Sequence, residues 1–285
     1  MKKFAYTIAE TLITLAIIGV IGAITLPTFI SNNRNQTNAS ALSVAISNME
    51  NALTTTMMKK GLTNLVSGDF WTRVWQACGG DCTTNSLIQL NRRVGFIRAL
   101  ENGMAISYND SYRNMVDYYN GITLRDINGN VIEATALRED LREGNIAQSF
   151  RGSTMYIPYI AKNGVVYFMK YPKRSSTESR AGALSEAQSM AAGGALTRVF
   201  ASVIIDVNGK QLPNTIGRDI FKFDLGDDGI LYPCGSVDYS VMNQELSNTT
   251  WRDPSCNWTC TDNEKDDLGF GCTARLIDEN FKPTY

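Results

Sequence analysis

Six cysteines, a cluster of Asp and Asn residues and one oddly placed glutamate carry the chemistry available to this chain of 285 residues. Cys78, Cys82, Cys234, Cys256, Cys260 and Cys272 are even in number, which in an oxidising compartment reads as a disulfide framework rather than free thiols. The two glycines of CGGDC allow Cys78 and Cys82 to close a tight loop on each other, while the pairing of the set as a whole stays open. CNWTC, around Cys256 and Cys260, has CxxxC spacing, not the CxxC of a redox dithiol. Cys234, Cys256, Cys260 and Cys272 also match a zinc site by ligand count, the less favoured reading wherever thiols oxidise. Asp206, Asn208, Asp219 and Asp224 offer the hard oxygen ligands that calcium (Ca2+) prefers. The same residue types build turns: Asp206, Asn208 and Gly209 close one, and Asp227, Asp228 and Gly229 another. An EF-hand is excluded, because the twelfth position counted from Asp206 is Gly217 where a glutamate is needed.

Histidine is absent. That removes the commonest general base, every Ser/His/Asp or Cys/His arrangement and the commonest metal ligand. G-x-S-x-G, G-x-x-x-x-G-K-[ST] and H-E-x-x-H are missing too, and Asp227 and Asp228 lie beside a glycine, where solvent holds both ionised. The expectation is a protein that is not an enzyme and has no resident cofactor. With 27 basic and 28 acidic residues, net charge −1, no global field draws the chain to nucleic acid.

Glu10 stands at the edge of an uncharged, mostly apolar run from Thr11 to Ile30. About 20 such residues cross a bilayer as a helix, at ~1.5 Å of rise per residue against a hydrocarbon core ~30 Å thick. Lys2 and Lys3 precede the run, which predicts a cytoplasmic N-terminus with the bulk of the chain exported. A secretory signal peptide has a shorter apolar core and a small-residue cleavage site after it. A plain anchor leaves Glu10 unexplained, since an ionisable residue at mid-membrane costs roughly 2.5 to 3.5 kcal/mol on insertion scales.

The segment KKFAYTIAETLITLAIIGVIGAITLP resembles the N-terminal signature of type IV prepilins and of the pseudopilins of type II secretion. In that family a short basic leader ends in Gly or Ala, a dedicated prepilin peptidase and methyltransferase cuts there, and the new terminus, usually Phe, is N-methylated. The resemblance implies cleavage between Ala5 and Tyr6, N-methylation of Tyr6, and a role for Glu10 as the glutamate of the fifth mature position. Gly19 and Pro27 fall where the family loosens its helix. Ala5 in place of Gly and Tyr6 in place of Phe are the two departures. Cutting before Tyr6 frees an α-amine, and an ammonium from a neighbouring subunit meeting the Glu10 carboxylate in low dielectric would set the axial register of assembly.

The resemblance further implies a structural subunit of a type IV pilus or type II secretion pseudopilus. It would be held single-pass in the bacterial inner membrane with its head outside, and partnered by other pilin or pseudopilin subunits, the peptidase, the inner-membrane assembly platform and the lipid bilayer. A large head points to a minor or specialised subunit, and Glu10 argues against the tip pseudopilin, which lacks that glutamate. Some major pseudopilins bind calcium near their C-terminal end, and type IV pilins often tie down the C-terminal segment with a disulfide, here in the region from Cys234 to Cys272. The alternative is a filament-tip or surface adhesin that binds a host, a surface or DNA through its loops; the third reading is a membrane-anchored enzyme.

These residues need a long helix and a sheet to position them. Leu42, Ile46, Met49, Leu53 and Met57 are spaced by three or four, one face of a helix, and Lys59, Lys60 and Gly61 supply its stop. One helix is expected from Tyr6 to Lys60, on the order of 80 Å long, with a bend or melted turn between Gly19 and Pro27. Roughly 220 residues remain for a head, read as one domain with two lobes. DFWTRVWQAC and NSLIQLNRRVGFIRAL read as short helices. AISYNDSYRNMVDYYNGITLRDINGNVIEA reads as strands turning at Asn120-Gly121 and Asn128-Gly129, with Tyr108, Tyr112, Tyr118 and Tyr119 as half-buried strand aromatics rather than a sticky basic surface with Arg113 and Arg125. TMYIPYIAKNGVVYFMKYP is a hairpin, RVFASVIIDVNG a strand and RDIFKFDLGDDGILYP a second hairpin, giving four or five antiparallel strands. KRSSTESRAGALSEAQSMAAGGALT reads as an exposed loop. The expected fold is α+β. It divides into leader 1–5, membrane or filament-core helix 6–30, amphipathic half 31–60, variable α/β lobe 61–153, antiparallel sheet 154–233 and Cys-rich C-terminal region 234–285.

Overall fold

The computed structural model describes residues 8–63, 65, 95–108, 111–112, 114–132, 156–170, 199–226, 228–234, 260 and 269–282. Helix α1 (Ile8–Lys60) is one element of 53 residues. It runs through Gly19 and Pro27 without a melted turn, because a proline inside a helix removes a single hydrogen bond and the ladder closes again around it. It stops at Gly61, whose φ of 63° is left-handed. There Gly61 N–H donates to the Met58 carbonyl at 3.1 Å and Leu62 N–H to the Met57 carbonyl at 2.9 Å, so the last carbonyls are satisfied.

Helix α2 (Gly95–Met104) takes up the end of the segment read as a short helix and packs on α1. Gly103 permits the approach, since a Cβ there would stand 2.5 Å from the Ala52 Cβ. Strand β1 (Ile106–Tyr108) follows, then α3 (Met115–Tyr118), β2 (Leu124–Arg125) and β3 (Val131–Ile132). The stretch read as continuous strands is thus interrupted by α3. Asn114 is the reason: its side chain accepts from Asp117 N–H at 3.0 Å and caps a helical turn. The turn at Asn128-Gly129 joins β2 to β3, with Gly129 at φ 87°.

The main sheet comprises β1, β4 (Ile157–Ala161), β5 (Val166–Lys170), β6 (Val199–Asp206), β7 (Ile220–Gly226) and β8 (Leu231–Pro233) in the order β1-β4-β5-β6-β7-β8. Every neighbouring pair is antiparallel. Six strands stand where four or five were expected, because β1 reaches back across sequence to pair Ile106 with Ala161. The hairpins turn at Gly164 and between Gly226 and Gly229, as the sequence indicates.

Side-chain alternation gives the sheet two buried faces. Tyr167 and Met169 of β5, Val203 and Ile205 of β6, and Phe221 and Phe223 of β7 meet Leu42, Met49 and Leu53 of α1 in one core. Val166, Phe168, Ile204 and Ile220 point the other way, to a second core built with Met115, Tyr118, Tyr119 and Phe270. The aromatic residues therefore pack inward: Tyr118 and Tyr119 are buried and stand edge-on at 5.0 Å, with Phe168 beside both. Helix α4 (Cys272–Asp278) docks by Ala274 N–H donating to the Cys234 carbonyl at 3.0 Å, and the Cys260–Cys272 disulfide ties it down. The molecule is α+β, a long N-terminal helix laid on an antiparallel sheet with a disulfide near the C-terminus.

Candidate functional site

Two places concentrate the singled-out residues: the exposed half of α1 and a buried polar cluster between β6 and β7. In the first, no side chain between Ile8 and Ile30 is buried, and Ile8, Ile24 and Phe29 are 80%, 70% and 71% exposed. The segment is long and apolar enough to cross a membrane, and fits a membrane anchor and a signal sequence alike. Glu10 lies in the first turn of α1 and is exposed; an acidic group there is favoured by the partial positive charge of the helix start. Gly19 and Pro27 lie inside the helix. Ala5 and Tyr6 fall outside the described residues.

The other half of α1 is fastened to the head by more than apolar packing. Asn38 Nδ2 donates to the Arg218 carbonyl at 3.4 Å, Tyr167 OH to the Ala45 carbonyl at 3.3 Å, and Leu231 N–H to Glu50 Oε1 at 3.0 Å. Burial, opposed by the Leu231 hydrogen bond, raises the Glu50 carboxyl above its ordinary range.

The second place is the loop from Val207 to Asp219. Asp206, at the end of β6, is fully buried: its Oδ2 accepts from Tyr119 OH at 2.6 Å and its Oδ1 from the N–H groups of Asn208 and Gly209 at 3.2 and 2.8 Å. Asp219, also buried, accepts from Thr215 N–H and from Asn208 Nδ2, the latter at 3.1 Å. Asn208 thus bridges the two carboxylates. Burial first, opposed by the Tyr119 hydrogen bond and supported by the nearby Asp219 charge, pushes the Asp206 carboxyl up to about 8. Burial likewise pushes Asp219 up to about 6, against the hydrogen bonds from Thr215 and Asn208. The Tyr119 hydroxyl is raised well above its usual value by burial and by Asp206. Gly209 is required twice over: its φ is 61°, and a Cβ there would stand 2.9 Å from the Gly164 carbonyl oxygen.

The calcium set does not assemble. Asp224 pairs with Ser202 while Asp206 pairs with Ile220, so four strand positions, roughly 13 Å, separate Asp224 from the cluster. Each oxygen of Asp206 and Asp219 already faces an N–H or O–H donor, which points hydrogen where a cation would need lone pairs. Asn208 Oδ1 alone among these side-chain oxygens has no donor. These residues do not fit a calcium ion; they fit the turn chemistry read from Asp206, Asn208 and Gly209. Among the described residues no group of three or more Cys, Asp or Glu side chains is placed to hold a metal.

Nor does the zinc set survive, because Cys260 and Cys272 are joined to each other. Cys234 is buried and disulfide-bonded as well. Cys78, Cys82 and Cys256 lie outside the described residues. Two buried polar contacts escaped the sequence reading. Tyr119 is the hydroxyl that closes the Asp206 cluster from 87 residues away. Lys222, fully buried on β7, lies over the Phe270 ring at 5.5 Å. Nothing local marks either, since both depend on contacts between distant segments.

The architecture is pilin-like. No protein-family model, no curated protein and no solved structure matches the chain. The likeness is therefore one of form: an apolar helix whose outer half is exposed among the described residues, and an antiparallel sheet clasping the inner half.

Proposed function

We propose that this chain is a structural subunit of a type IV pilus or type II secretion pseudopilus, trimmed between Ala5 and Tyr6 and assembled through α1. The observation that carries the reading is the division of that one helix. Its inner half is buried in its own head, whereas its outer half is mostly apolar and, among the described residues, buries no side chain. A helix apolar all round needs an apolar surrounding, and a bilayer before assembly and neighbouring helices after it both supply one. Each Å² so removed from water is worth ~25 cal/mol.

In this reading Glu10 is the assembly residue, taking the α-amine of a neighbouring subunit's Tyr6 and setting the register of the filament. The head needs no active site, and the reading is of a structural protein rather than an enzyme. Mass spectrometry of the mature N-terminus from the native membrane tests processing: a methylated Tyr6 is expected, and an intact Met1 overturns it. Glu10→Ala is expected to leave the chain membrane-bound and folded but to lower its incorporation into filaments by tenfold or more, on the order of 1.4 kcal/mol. Normal incorporation would remove Glu10 from the role.

A further inference from the structure

Where the exposed half of α1 passes into the clasped half, a cleft of about 400 Å³ opens between the helix, the turn of the β2–β3 hairpin and the loop before β7. Pro27, Ile30, Ser31, Arg34 and Asn35 line its helix side, at the spacing of a single helix face. That face is continuous with the stripe of Asn38, Leu42 and Met49 that enters the head. Across from it stand Gly129, Pro213, Thr215 and Arg218.

The cleft is graded in polarity. Pro27 and Ile30 end the apolar run, and Arg34 lies one turn further on, ~6 Å along the axis. Arg34 and Arg218 both line the cleft, the Arg218 carbonyl accepting from Asn38 one turn beyond Arg34, and no carboxylate stands among the described lining residues. Neither guanidinium has a hydrogen-bonding or ion-pair partner among the described residues. The nearby acids are engaged elsewhere: Asp126 accepts from Asn130 through both oxygens, and Asp219 is turned inward to Thr215 and Asn208. Arg125 adds a third positive charge beside the cleft, held on the Gly129 carbonyl at 2.7 Å. Leu212, next to Pro213 on the same loop, is 64% exposed. An apolar tip at the helix level where the hydrocarbon run ends is what a head resting on a bilayer surface presents.

We propose that this cleft is a binding site for the headgroup of an anionic phospholipid, its phosphate clamped by Arg34 and Arg218 and its acyl chains lying along Pro27 and Ile30. Guanidinium forks match phosphate oxygens in geometry and charge, and the junction of α1 lies at the depth where those oxygens occur. The site would fix the height and rotation of the head on the membrane before a subunit joins a filament. It rests on the reading of residues 8–30 as bilayer-embedded.

The test uses the full chain reconstituted in vesicles of phosphatidylglycerol and phosphatidylcholine, released into detergent and weighed by native mass spectrometry. One phosphatidylglycerol per chain is expected to be retained, about tenfold in preference to phosphatidylcholine. Arg34→Ala/Arg218→Ala is expected to lose that preference with the head's melting temperature unchanged, and Arg34→Lys/Arg218→Lys to keep part of it. Equal retention of both lipids, undiminished retention by the double alanine variant, or displacement by millimolar inorganic phosphate would each overturn the site. The N-terminus is read from the same spectra, which separates the two readings. Lipid bound to a chain beginning at Met1 overturns the filament role alone, and a chain beginning at methylated Tyr6 without lipid overturns the site alone.

Discussion

From Ile8 to Ile30 helix α1 buries no side chain, and from Asn38 to Met57 it buries eight. The helix is continuous, so the difference lies in the distribution of apolar residues around it. In the outer half they cover every side, which leaves no polar face for water. In the inner half they keep to one stripe, with Ser40, Ser47 and other polar residues turned outward and Ser hydroxyls bonded back to carbonyls one turn earlier. The inner half is a component of the head's core, and the outer half is a surface awaiting another apolar medium. Stability of the head and insertion of the helix are therefore separable properties of one element.

Paired truncations give the largest effect and break the comparison most directly. Leu53→Ala removes a buried side chain from the core against β5, β6 and β7, and is expected to destabilise the head by ~2 to 5 kcal/mol. Ile17→Ala, in the exposed half, is expected to change it by less than ~0.5 kcal/mol. Urea unfolding of the full chain in detergent, followed by tryptophan fluorescence, measures both. Equal effects would mean that the outer half also packs on the head.

The polar cluster sharpens the contrast between the two faces of the sheet. Asp206 and Asp219 are raised to about 8 and about 6, from the ordinary carboxylate value near 4. Across that window the native state holds protons that the unfolded chain has released, so stability is greatest near pH 4 and falls as pH rises through about 8. Tyr118 and Tyr119 stay protonated throughout, because burial and the Asp206 charge raise both. The expected loss is on the order of a few kcal/mol between pH 5 and pH 8. Asp206→Asn, which can still accept from Asn208 and Gly209, is expected to flatten most of it. A slope unchanged in that variant would place the titration elsewhere.

A smaller loss than that from the core truncation is expected at the C-terminal tie. The Cys260–Cys272 disulfide closes a loop with a sequence separation of 12, and removing it as Cys260→Ala/Cys272→Ala is expected to cost ~2 to 3 kcal/mol. Because α4 docks on the head alone, melting of the head should move while retention of the chain in vesicles does not.

Much of this fold was legible in the sequence because its signals are local. The 3.6-residue stripe from Leu42 to Met57, the stop at Lys59, Lys60 and Gly61, and the hairpins at Asn163-Gly164 and Gly226 to Gly229 each follow from contacts within a few residues. The segment from Ala105 to Ala134 was misread in part because its alternation imitates strands, while the Asn114 cap imposes a helical turn at Met115. Strand β1 was missed as a partner of the sheet because three residues carry little periodicity, and its pairing with β4 spans more than 50 positions. Asp206, Asn208 and Asp219 do meet, as a hydrogen-bonded turn rather than an ion site, whereas Asp224, near them in sequence, is carried away along its strand.

By itself, the sequence determined that one helix would be long, apolar at its outer end and amphipathic at its inner end, and that an antiparallel sheet would follow. Periodicity and turn residues act over one or two turns of chain, and they suffice for that. Only the tertiary structure decided that the sheet is buried on both faces, that Tyr119 closes over Asp206, and that Arg34 and Arg218 share one cleft. Those pairings join segments 87 and more positions apart, where packing and burial, not local propensity, choose which side chains meet.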